Sequence, residues 1–190
     1  MNTFTLDFQA IELSNEQFYQ LCINNSDLHI ERNANGDLVI MPPTGGETGN
    51  KNAGIIAQLW LWNSRNNLGK VFDSSTGFIL PNGANRSPDA SWITLTKWHN
   101  LTDQEKRKFL PLCPDFAVEL VSPSDKLERT QAKMQEYLEN GMVLGWLINP
   151  GQKQVEIYRQ DNAVEILEAP CNLSGEDTLP KFELNLDPIW

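Results

Sequence analysis

One stretch constrains this chain more than any other: Phe116-Ala117-Val118-Glu119-Leu120-Val121-Ser122-Pro123-Ser124-Asp125. Phe, Val and Leu at this density, closed by a Ser-Pro turn, predict a strand buried inside a sheet. A single carboxylate, Glu119, stands in the middle of it. Left ionised and unpaired there, it would cost several kcal/mol or more, so it must meet a cation, a proton or a metal ion. What it meets decides what the chain can do.

The rest of the sequence supplies the surroundings. With 190 residues, 40% hydrophobic and 21% charged, the composition is that of a globular protein with its own core. The longest apolar segment, Ile55 to Trp62, is interrupted by Gln58 and falls well short of the roughly 18 residues of a membrane span. Met1 to Asp7 has neither the basic nor the apolar part of a signal peptide, so a cytoplasmic protein is expected. Cys22, Cys113 and Cys171 are scattered and odd in number, which fits reduced thiols rather than a disulfide framework or a zinc site. His29 and His99 match no zinc or histidine-nuclease spacing and are expected on the surface or in loops.

The net charge of −10 argues, taken whole, against nucleic acid as a partner. Its distribution says something different. Lys51 to Lys133 contains 11 basic and 8 acidic residues, and the remainder 4 and 17. Only the middle of the chain could face phosphate, although a chance fluctuation in an acidic protein would look the same.

Periodicity gives the elements. A helix is expected over residues 14–25, where Ser14 and Gln17 form a capping box. His29 to Arg32 and Asp37 to Met41, joined through Asn35-Gly36, predict a hairpin. Thr44 to Gly49 is a loop before a helix that runs to about Asn66, with Ile55, Ile56, Leu59 and Trp62 toward the core. The loop is not a phosphate-binding P-loop, because Asn50-Lys51-Asn52 stands where Gly-Lys-Ser/Thr is needed. Strands are expected at Val71-Phe72, at Thr76 to Leu80 and from Arg86 to Ile93, and a partly helical connection over 95–109. A helix is expected from about Asp125 to Asn140, capped by Ser122 or Ser124 and stopped by Gly141. Val143 to Ile148 reads as a buried strand, and Val155 to Tyr158 with Val164 to Leu167 as a half-exposed hairpin. The tail from Leu179 to Trp190 has apolar anchors that should dock on the core. With no repeat and no linker, one α/β domain with a mixed sheet, covering residues 1–190, is the expectation.

Among the acids, Asp115 lies four residues before Glu119 on one strand, about 13 Å away and too far to share an ion. Asp89 begins a different strand, and strands about 4.8 Å apart can bring facing carboxylates onto one cation. Asp89 with Glu119 is the one-or-two-carboxylate type of site that Mg²⁺ uses. Lys133 and Tyr137 are spaced i,i+4 on the following helix, and Lys133 could point along the sheet toward the carboxylates. There it could orient a water or offset charge on a phosphoryl group. Glu47, at the start of the first long helix, is a candidate third acid, as well explained as an ordinary first-turn residue. Glu119 could instead form a structural ion pair with Lys133 or Arg129.

Pro88-Asp89, the Glu119 strand with its Ser-Pro-Ser-Asp ending, Lys133-x-x-x-Tyr137 and Gly145-Trp146-Leu147-Ile148-Asn149-Pro150 together resemble the Uma-two family of restriction endonucleases, placed in the PD-(D/E)XK nuclease superfamily. The resemblance spans about Phe18 to Trp190. It implies a restriction-endonuclease-like core, a central mixed sheet flanked by helices, here with an N-terminal helix and hairpin extension. It further implies hydrolysis of DNA phosphodiester bonds that depends on Mg²⁺ or Mn²⁺, and a homodimer. Asp89 and Glu119 would be the metal ligands, their bound water the nucleophile. The superfamily pattern has a lysine two residues after the glutamate, where this chain has Val121. Lys133 is the candidate replacement, with Tyr137 in support, and Glu47 resembles an acid that some members carry on the first core helix. The competing expectation is a protein that keeps the nuclease fold without turnover, as a binding module.

Overall fold

In the computed structural model, which describes residues 3–8 and 10–190, the chain runs β1 (Phe4–Leu6), α1 (Asn15–Asn24), β2 (His29–Arg32), β3 (Leu38–Met41), α2 (Gly46–Asn66), β4 (Gly69–Asp73), β5 (Phe78–Ile79), β6 (Asn85–Arg86), β7 (Ala90–Thr94), α3 (Leu95–Asn100), a 3-10 turn at Glu105–Arg107, β8 (Phe116–Leu120), α4 (Leu127–Glu139), β9 (Leu144–Asn149), β10 (Gln154–Arg159), β11 (Glu165–Glu168), β12 (Asn172–Ser174) and β13 (Glu183–Asn185). The large sheet has the order β11-β10-β9-β8-β7-β4. β8 and β9 are parallel, and the other neighbours are antiparallel. Parallel neighbours cannot be joined by a tight turn, and α4 makes the crossover between them. β8 and β9 are buried along their whole length, which is why they read as continuous apolar runs.

Alternation along the strands sends side chains to two cores. On one face Val118, Leu120, Trp146 and Ile148 pack against Ile55, Leu59 and Trp62 of α2 and against the tail residues Leu179, Phe182, Leu184, Leu186 and Ile189. On the other, Ala117 and Leu147 pack against Met134 and Tyr137 of α4. Glu119 shares the alternation of Ala117, so it faces α4. A second sheet, of order β1-β3-β2-β6-β5, carries the expected hairpin β2–β3.

Two expectations are corrected. The strand expected from Arg86 to Ile93 is two strands in different sheets, β6 and β7. Ser87-Pro88-Asp89 is the corner between them, because Pro88 has no N–H to give to a ladder. The helix expected from Asp125 begins at Leu127, and its cap residue Lys126 makes no side-chain capping bond. Ser122 to Asp125 instead closes on itself: the Ser122 amide donates to Asp125 Oδ2 at 2.8 Å and the Asp125 amide to the Ser122 carbonyl at 3.0 Å. The local bonds satisfy the turn and leave the helix to start after it. The other end matches. Gly141 has φ +98°, its amide donates to the Leu138 carbonyl at 3.0 Å and the Met142 amide to the Tyr137 carbonyl at 3.0 Å, the Schellman pattern. At α1 the Ser14–Gln17 capping box forms in both directions.

Candidate active site

The corner at Asp89 and the end of β8 bring the site together. The β7–β8 register pairs Ala90 with Val118, so one further step sets Asp89 opposite Glu119. The Leu120 amide donates to Asp89 Oδ2 at 2.8 Å, and Asn52 Nδ2, from α2, donates to Asp89 Oδ1 at 2.8 Å. From α4, one turn apart, come Tyr137, whose hydroxyl donates to Glu119 Oε1 at 3.0 Å, and Lys133, whose Nζ lies 2.9 Å from the same oxygen. The Lys133 ammonium is shared: Glu31 Oε1, on β2 of the small sheet, is 2.8 Å away. Glu31 accepts from the Ser87 amide at 2.9 Å and pairs with Arg86 at 3.3 Å, and Arg86 pairs with Glu136 at 2.5 Å.

Three carboxylates therefore crowd around one ammonium. Burial pushes the Glu119 carboxyl up to about 7; Lys133 pulls it back, while Asp89 and Glu31 add to the rise. Burial also raises Asp89. Lys133 is held above its ordinary range, since Glu119 and Glu31 together outweigh its burial. An isolated ion pair would lower the acid and raise the base. Here the acid is buried beside two like charges and shares its one cation, while the base has two carboxylates, so both rise. Glu31 goes the other way, down to about 2, because Lys133, Arg86 and the Ser87 amide together overcome its burial.

Such a site suits a hydrated hard cation. The contacts of Glu119 with Tyr137 and Lys133 both fall on Oε1, and Asn52 Oδ1, beside Asp89, is buried without a hydrogen-bond partner among the described residues. Among the described residues no group of three or more His, Cys, Asp or Glu side chains is arranged to hold a metal. Mg²⁺, which takes one or two carboxylates and keeps its waters, fits the donor set.

Of the residues singled out in the sequence, Asp89, Glu119, Lys133 and Tyr137 meet. Glu47 does not join them: its side chain is 82% exposed and pairs with Lys51 at 3.0 Å. The α2 residue that reaches Asp89 is Asn52. Asp115 lies at the other end of the strands, held by Lys97 at 2.8 Å and by the Thr94 amide at 2.8 Å. Sequence reasoning missed Glu31, Arg86 and Asn52, and it placed His29 on the surface or in a loop. His29 is half-buried in β2, its Nε2 has no hydrogen-bond partner among the described residues, and burial lowers its pKa within the fields of Glu31, Lys133 and Asp89. The one available signal was the period-two spacing of His29 and Glu31, which puts both on one side of a strand.

Known proteins resemble this chain in sequence and in fold. The model of the Uma2 family, described as "Putative restriction endonuclease", matches residues 15–187. A crystal structure of "a putative nuclease belonging to DUF820" from Anabaena variabilis is similar with a TM-score of 0.67 and 16% identity, over 79% of this chain and 82% of that one. At that identity the likeness is one of fold: a mixed sheet flanked by helices, restriction-endonuclease-like. No curated protein matches.

Proposed function

The chain belongs to the Uma2 family, and on that premise we propose that it is an endonuclease hydrolysing DNA phosphodiester bonds with Mg²⁺ or Mn²⁺ held by Asp89 and Glu119. The observation that carries the reading is the meeting of two mutually repelling carboxylates with one buried ammonium at the end of β8. A divalent ion held there would supply a water of lowered pKa and positive charge against the phosphate.

The chain's own residues do the rest. Leu120 and Asn52 fix both oxygens of Asp89. Tyr137 and Lys133 both engage Glu119 Oε1. Lys133, kept protonated by its two carboxylates, would donate to a phosphoryl oxygen gaining charge. It would take the role of the lysine that the superfamily pattern has where this chain has Val121.

The test is cleavage of supercoiled and linear DNA with Mg²⁺ or Mn²⁺. Asp89→Ala and Glu119→Gln should each lower the rate by about 10²-fold or more, the scale of losing one group that stabilises charge in the transition state, with circular dichroism unchanged. Unchanged cutting by both variants would overturn the assignment. The second reading, a nuclease fold that binds without turnover, draws on Val121 and on an ammonium already matched by two carboxylates. Calorimetry separates the two, because only the first requires Mn²⁺ binding that Glu119→Gln abolishes.

A further inference from the structure

Lys133 has an awkward mount. It projects from α4, not from the Glu119 strand, on a four-carbon side chain with many rotamers. Paired with Glu119 alone, its ammonium would be a competitor for the carboxylate that a divalent ion needs. The structure gives it a second acceptor of its own. Glu31 Oε1 lies 2.8 Å from Lys133 Nζ, against 2.9 Å for Glu119 Oε1. Glu31 is only 3% exposed and is itself held by a backbone amide and a guanidinium, those of Ser87 and Arg86. Both holders belong to the segment that runs from β6 of the small sheet into Asp89. The carboxylate that grips the ammonium is thus braced by the same corner that aims the other acid.

We propose that Glu31 is a positioning residue of the site: it fixes the Lys133 ammonium beside Glu119 and gives it a counter-charge, so that Glu119 stays available to a cation. This rests on the nuclease reading for its catalytic consequence, but not for its structural one. The small sheet then has a task beyond covering the core. It carries in the residue that substitutes for the short tether a lysine on the Glu119 strand would have had.

Two measurements test it. In the metal-free protein, Glu31→Gln should leave circular dichroism unchanged and raise the rate at which an amine-acylating reagent modifies Lys133, read by peptide mass spectrometry, by tenfold or more. Unchanged labelling would overturn the proposal whether or not the protein cuts DNA. If Glu31→Gln does not fold, Glu31→Asp makes the same comparison, its carboxylate drawn back by one methylene. The second measurement is a double-mutant cycle on DNA cleavage. Glu31→Gln should lower kcat about 10²-fold with KM for DNA unchanged, and should have no further effect in a Lys133→Met background. Multiplying losses would show that Glu31 acts by holding the fold together and not through Lys133. A wild type that does not cut while Glu31→Gln frees Lys133 would sink the nuclease reading and leave the positioning role standing.

Discussion

Glu119 and Glu31 share an ammonium and respond to acid in opposite ways. The folded protein keeps a proton on Glu119 up to about pH 7, where the unfolded chain releases it near 4.5. Between those values the folded state binds the extra proton, so this carboxyl's contribution is intact at low pH and is lost as pH rises toward 7. Glu31, held down to about 2, contributes fully above the unfolded value and loses that contribution as pH falls toward 2. Without divalent ions, denaturant unfolding of wild type should therefore lose stability between pH 5 and pH 8 relative to Glu119→Gln, by on the order of 2 kcal/mol. Adding Mn²⁺ at pH 8 should restore it in wild type alone. Parallel pH curves for the two proteins would show that Glu119 carries no such strain. Glu119 was legible because an acid inside an aliphatic run is an anomaly on any reading. Glu31 was not: in a hairpin strand, an acid between Ile30 and Arg32 looks ordinary, and only its tertiary meeting with Lys133 and Arg86 marks it out.

At the level of elements, the site depends on how α4 is mounted, since that helix delivers both Lys133 and Tyr137. Its two ends were unequally legible. The stop could be read because one residue type, glycine, suits a positive φ. The start could not, because Ser122-Pro123-Ser124-Asp125 satisfies a capped helix and a self-closed turn equally well, and only tertiary context chooses between them. The split of the expected Arg86–Ile93 strand has the same character. Pro88 marks a break, but nothing local says that the halves join different sheets. Gly141 gives a direct test. An alanine there is strained at φ +98° and should cost about 1 kcal/mol, a fall in thermal midpoint of about 2–4 °C for a chain of this size. The same change should slow cleavage more than its stability cost explains, because the last turn of α4, with Tyr137, is what it loosens. Thermal unfolding and cleavage rates on one preparation check both.

For the whole molecule, the question is how a protein of net charge −10 approaches a polyanion. Distribution answers what the total does not. Exposed Lys126 and Arg129 stand at the start of α4 and make no ion pair among the described residues. Arg129 is one turn before Lys133, on the same side of the helix, so it extends the positive edge of the site outward to solvent. On the nuclease reading, a phosphate backbone would meet this edge against the repulsion of the acidic flanking regions, which costs affinity. Binding should accordingly be weak and salt-sensitive. Arg129→Ala should weaken binding to all sequences alike and reduce the slope of log affinity against log salt by about 1, the mark of one lost phosphate contact. It should leave the single-turnover rate at saturating DNA unchanged, since Arg129 does not touch Glu119. Fluorescence anisotropy at several salt concentrations, with Ca²⁺ in place of Mg²⁺ to hold back cleavage, measures the slope. An unchanged slope would mean that DNA enters from another side, and that the middle of the chain is basic for reasons unrelated to its substrate.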